Sequence, residues 1–212
     1  MSKYKVVIMA MFAVFAFTAI AASSAMALKE EWLKSGSRTT LALPGLLDGE
    51  ILLVHSGGLL GSSTIRCTGQ FHGTYGPGAA DTITEMLSLS GGRFPLPCEF
   101  TSGPCGVGSR ANAALLHLPW DTKLELPGSP AGTWDKISEG GGKGAPGFEV
   151  ECVSLKVGAR CEGSFIRMLF ESNGTNGAIL DFHGIESGEL KCNDGGTGSF
   201  EGGGEVLGFT IS

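Results

Sequence analysis

Short apolar runs bounded by Gly, Pro, Asn, Asp or Ser recur along the chain from residue 38 to residue 211. They predict strands over 38–43, 50–55, 64–68, 82–89, 122–126, 148–157, 165–171, 178–183, 189–192 and 206–211. Several alternate with period two, as in Thr122-Lys123-Leu124-Glu125-Leu126, which turns one face to a core and the other to water. Asn173-Gly174 and Asn176-Gly177 lie between two such runs, and both dipeptides admit the positive φ of a hairpin turn. The one helix-like stretch is 111–116, which Pro119 would stop soon after. Many short strands and little helix predict an all-β fold, an antiparallel β-sandwich or barrel-like sandwich with Gly-rich loops. An outer-membrane barrel fits less well, since it wants evenly spaced strands of about 9–11 residues and aromatic girdles. The runs here are shorter and the chain ends on Ser212.

Residues 6–22 break this pattern as one uncharged, mostly apolar stretch of 17 residues. Lys3 and Lys5 precede it, and Ala25-Met26-Ala27 follows as a small-x-small cleavage site. The expectation is a signal peptide over 1–27 and a single exported domain over 28–212. The competing reading is an uncleaved anchor, although the stretch falls short of the ~20 residues a spanning helix needs. The first cysteine is Cys67, so no cysteine at the end of the leader could carry a lipid, and no twin arginine is present. A secreted or surface-exposed domain, free of the membrane after cleavage, is the resulting expectation.

Charge narrows the partners. Fifteen basic residues, two of them in the leader, face twenty-one acidic ones, none in the leader, so the exported part carries −8. That sign argues against nucleic acid and against an anionic membrane surface. All 35 glycines also lie beyond the leader, scattered between apolar runs as turns and bulges require.

The six cysteines, Cys67, Cys98, Cys105, Cys152, Cys161 and Cys192, are bound for an oxidising compartment, where disulfides are the default. Four follow an apolar-charged pair, as in Ile65-Arg66-Cys67, so on a strand the sulfur shares the apolar face. Residues 140–147 form a Gly-rich segment with three cysteines on each side. If all six pair within one chain, at least one bridge must cross that segment, which favours one domain over two. Of the fifteen pairings open to six cysteines, the expectation is Cys98–Cys105, Cys152–Cys161 and Cys67–Cys192. The absence of Cys-x-x-Cys and of a second closely spaced pair weighs against redox or zinc chemistry, and no metal or cofactor is expected.

Catalytic signals are sparse. His55, His72, His117 and His183 show no metal-ligand spacing, and neither Gly-x-Ser-x-Gly nor Ser-x-x-Lys occurs. Glu149 and Glu151 would share one sheet face with Arg160 or Lys156 opposite, more in keeping with solvated ion pairs than with a glycosidase pair. Trp120 and Trp134 are candidate ligand contacts if exposed, and plugs of the core if buried.

Trp32, Ile65-Arg66-Cys67-Thr68-Gly69, Leu118-Pro119-Trp120 and the late cysteines together give the chain a familiar outline. It resembles a loosely defined group of uncharacterised, secreted, cysteine-containing, β-rich bacterial proteins. That resemblance implies export and a β fold and transfers no catalytic residue. The expected function is a non-catalytic binding or structural module for a carbohydrate or protein surface outside the cell. A secreted hydrolase with a dispersed site, or a carrier of a small apolar ligand, is the alternative.

Overall fold

The chain is described by a computed structural model over residues 31–88, 98–125, 133–141, 143–172 and 177–211. The predicted leader over 1–27 and the hairpin turn predicted at 173–176 lie outside that range. Sixteen strands carry the described fold: β1 (Trp32–Lys34), β2 (Ser37–Arg38), β3 (Leu43–Ser56), β4 (Ser63–Tyr75), β5 (Ala80–Ser88), β6 (Cys98–Ser102), β7 (Arg110–Leu116) and β8 (Trp120–Glu125) in the first half. There follow β9 (Thr133–Glu139), β10 (Gly147–Cys152), β11 (Val157–Glu162), β12 (Ile166–Ser172), β13 (Gly177–Gly184), β14 (Leu190–Cys192), β15 (Thr197–Leu207) and β16 (Phe209–Ile211). A single 3-10 turn, Ile185–Ser187, stands between β13 and β14. The fold is all-β and antiparallel, as the alternating pattern predicts.

Pairing closes on itself twice. One ring runs β3-β4-β5-β8-β9-β12-β13-β15 and the other β3-β4-β6-β7-β10-β11-β14-β15, so two barrel-like rings share three strands. The shared strands are long enough to serve both. Thr64–Cys67 of β4 pairs with β6, while Gly69 onward pairs with β5. In β15, Thr197 and Gly198 pair with β14, and Phe200 onward pairs with β13. Closure of this kind leaves few open strand edges. It is uneven: β3 and β4 stay in register from Leu43↔Tyr75 to His55↔Ser63, whereas β11 and β14 share only Cys161↔Cys192 and Glu162↔Lys191. A small sheet, β16-β1-β2, packs against the first ring through Trp32, whose ring meets Tyr75 edge-on at 4.7 Å.

Four predicted elements differ from the structure, the first being 38–43, where β2 ends at Arg38 and β3 begins only at Leu43. Residues 111–116 form β7 rather than a helix, because Ala111, Ala113 and Leu115 are buried with period two between β6 and β10. Tertiary pairing here overrides the helix propensity of Ala and Leu. The run 148–157 splits into β10 and β11 around a turn with Lys156 at φ 56°, and 206–211 splits at Gly208, φ 79°. Neighbouring apolar residues hide both breaks in the sequence.

All six cysteines pair, but the expected pairs are replaced by Cys67–Cys98, Cys105–Cys152 and Cys161–Cys192. Cys67 faces Cys98 across the β4–β6 ladder, and Cys161 faces Cys192 across β11–β14. Each of those pairs spans 31 residues because sequence-distant strands become neighbours at ring closure. Cys105–Cys152 crosses residues 140–147, as cysteine parity requires when all six pair, and joins the two halves covalently. All three bridges sit in the second ring, where several ladders are shortest. A non-reducing peptide map should return these three linked pairs; a Cys98–Cys105 peptide would contradict the ring closure described here.

Candidate functional site

The chemistry-bearing residues divide into buried braces and exposed groups. Trp120 is fully buried and donates its indole N–H to the Leu116 carbonyl at 2.7 Å. Trp134 is 2% exposed, with the Arg167 guanidinium 4.6 Å above its ring. Burial inside the folded chain therefore takes both tryptophans out of the role of ligand contacts, and large apolar area explains why they pack inward. His55 is also fully buried; Nδ1 meets the Gly61 carbonyl at 2.9 Å and Nε2 meets Asp194 at 3.2 Å. Burial pushes the Asp194 carboxyl up, but hydrogen bonds from the Gly196 and Leu59 N–H groups and from His55 outweigh it and hold the pKa below the usual range. His55 and the Cys161 and Cys192 sulfurs lie within 4.8 Å of one another, yet the sulfurs are bonded to each other and both imidazole nitrogens are engaged. Thiolates are what a metal binds, so this cluster is a structural brace.

His117 holds the Ala145 carbonyl at 2.8 Å and accepts from Arg160 at 2.9 Å. Glu149 stands opposite Arg160 in the β10–β11 register, and Glu151 accepts from Asn112 at 3.3 Å, so that exposed face is a set of solvated polar pairs as expected. His183 is different. It is exposed, and it lines a groove.

The groove forms on the outer face where β15 leaves β14 for β13. Its floor is the β3–β15 ladder, with Ser56 opposite Thr197 and Val54 opposite Ser199. Its wall is the end of β13 and the 3-10 turn, carrying His183 and Glu186, while His183 is in register with Glu201. The space is about 660 Å³, within the few hundred to a thousand Å³ usual for small-ligand sites. Three hydroxyls, two carboxylates and one imidazole face it, and among the described residues no Lys or Arg lines it. The wall is braced from behind: Arg167 Nε donates to the Glu186 carbonyl at 2.9 Å, the Ser187 hydroxyl accepts from the His183 backbone N–H, and Trp134 lies 6.1 Å from the His183 ring. Sequence reading missed this site because its parts come from β3, β13, β15 and the 3-10 turn. No local spacing links them.

Fold and cross-links define the class of protein, an antiparallel, barrel-like all-β chain stabilised by three disulfides. Compared with protein-family models, curated proteins and solved structures, the chain matches none.

Proposed function

We propose that the protein is a secreted or cell-surface, non-catalytic binding module that takes a neutral, hydroxyl-rich ligand, a carbohydrate, in the groove beside His183. The observation that carries this reading is the groove's lining. Glu186 and Glu201 accept hydrogen bonds from ligand hydroxyls, Ser56, Thr197 and Ser199 both donate and accept, and the His183 ring offers a flat face for a sugar ring. Carboxylates without a lining cation disfavour anionic ligands. Three disulfides support an oxidising, extracellular setting. The inner faces of both rings hold buried side chains such as Trp120, Phe148 and Ile137, which favours a surface site over an internal carrier cavity.

Titration with a panel of neutral oligosaccharides, followed by calorimetry or NMR, tests this. A hydrogen bond to a charged group is worth roughly 1.5–3 kcal/mol, so Glu201→Gln should weaken binding about 10-fold or more. His183→Ala should do the same, while Glu149→Gln, on a different face, should leave binding unchanged. Binding unaffected by Glu201→Gln and His183→Ala would remove the groove from the function. One observation favours the hydrolase reading: two glutamates share the groove. Turnover of a glycoside that disappears in Glu201→Gln with binding retained would shift the assignment to catalysis.

A further inference from the structure

Four of the exposed large apolar side chains gather at one end of the molecule, the turn end of the second ring. Leu59 is 72% exposed, Val107 80%, Val153 45% and Leu155 52%. They stand on residues 57–62, 103–109 and 153–156, which join β3 to β4, β6 to β7 and β10 to β11. Register places these turns together with residues 193–196, since Thr64 pairs with Ser102, Cys152 with Ala111 and Thr197 with Ser56. We propose that this crown inserts its four aliphatic tips into the interfacial layer of an uncharged, zwitterionic lipid bilayer.

The turns are held in shape before any contact. Cys105–Cys152 ties the second turn to the end of β10. Asp194 accepts from Leu59 N at 2.8 Å and from His55, which in turn holds the Gly61 carbonyl, so the 57–62 turn is fastened to 193–196. Gly58 sits at φ 56° with its α-carbon against the Asp194 carboxylate, where a β-carbon would collide. Leu60 is fully buried while Leu59 points out. Turns anchored this way present their side chains without the ordering cost of a loose loop.

Charge and composition choose the occupant. The chain carries −6 overall, yet these four turns hold only Lys156 and Asp194 as charged residues, and the Asp194 side chain is 3% exposed and bonded to His55. The acidity that argues against membranes lies elsewhere on the molecule, and the exposed charge of the crown is the one ammonium of Lys156. Such a stem can lie along apolar surface with its head at the phosphate level. A protein partner, or a second copy of this chain, is anchored mainly by Trp, Tyr, Phe, Met and Arg. Residues 57–62, 103–109, 153–156 and 193–196 hold none of these. A bilayer asks only that apolar groups project to a shallow common depth.

The full secreted protein mixed with phosphatidylcholine vesicles should co-sediment or float with them, and raising salt should change this little because no net lipid charge is involved. Leu59→Ser, Val107→Ser and Leu155→Ser combined should reduce partitioning at least 10-fold with the melting temperature unchanged. Leu41→Ser with Leu46→Ser, exposed apolar residues outside these four turns, should leave it intact. Failure to bind such vesicles overturns the proposal, as does binding that requires anionic lipid. Self-association in lipid-free buffer that the crown substitutions abolish would assign the crown to a second copy instead.

Discussion

Replacing Phe200 by alanine is expected to lower the unfolding free energy by about 3–5 kcal/mol, the range for a buried Phe truncated to Ala. Phe200 sits on β15, a strand common to both rings, and is 1% exposed. Its ring lies 5.3 Å from Phe148 on the second-ring strand β10 and 5.1 Å from Phe182 on the first-ring strand β13. Trp120, on β8 of the first ring, meets it edge-on at 6.5 Å. Truncation therefore opens a hole at the point where the two cores join, and neither ring can close it without shifting a strand that both use. Urea unfolding followed by tryptophan fluorescence measures the loss. A change below about 1 kcal/mol would show that the rings do not depend on this contact, since that is the scale of an ordinary substitution.

The second large effect is on pH dependence. Asp81 and Asp135 are buried, 5% and 1% exposed, on the inner face of the first ring. Asp81 pairs with Thr122, and Asp135 lies two residues before Ile137, which pairs with Thr122 on its other side, so the two carboxyls meet around one hydroxyl. Burial pushes Asp135 up to about 7, and the Glu125 charge adds to it, while the Thr122 hydroxyl offsets only part. Asp81 is driven well above the usual carboxylate range, first by burial and then by the Asp135 charge. Both groups keep protons in the folded state to a higher pH than in the unfolded one. Between about pH 4, where an unfolded Asp titrates, and about 7 the folded state binds more protons, so stability falls as pH rises. The slope should be roughly 1 kcal/mol per pH unit for each retained proton.

Asp194 acts with the opposite sign. Its lowered pKa supplies stability above the ordinary carboxylate range and loses it in acid, so the two windows do not overlap. Urea midpoints at pH 4.5, 6 and 8 should therefore decline in that order. Asp135→Asn, which cannot ionise, should flatten the decline and raise the midpoint at pH 8. Equal stability at pH 4.5 and pH 8 would mean that water or relaxation solvates the pair in the fold.

Particular residues mark how far the sequence could be read. In β8, Trp120, Thr122 and Leu124 are buried while Asp121 and Lys123 are exposed, and the period-two pattern shows it. Glu149 and Glu151 fall on the exposed face for the same reason. The paired carboxyls were harder to see. Asp81 and Asp135 each occupy an inward position in a strand, but a single polar residue at such a position carries no mark of its partner 54 residues away. The groove is hidden in the same way, because Ser56, His183 and Glu201 meet only after β15 pairs with both β3 and β13.

Sequence by itself determined that this chain is all-β and that the sulfurs of Cys67, Cys152, Cys161 and Cys192 share the apolar face of their strands. It also determined that at least one bridge joins its halves once all six cysteines pair. Those features follow from the alternation of side chains along a strand and from cysteine parity, which need no knowledge of neighbours. Only the tertiary structure decided which cysteines pair, that Trp120 and Trp134 are core, that 111–116 is a strand, and where the groove and the apolar crown lie. Each of these depends on which strands become adjacent when two rings close around Phe200, and that choice is made by burial of the whole core at once.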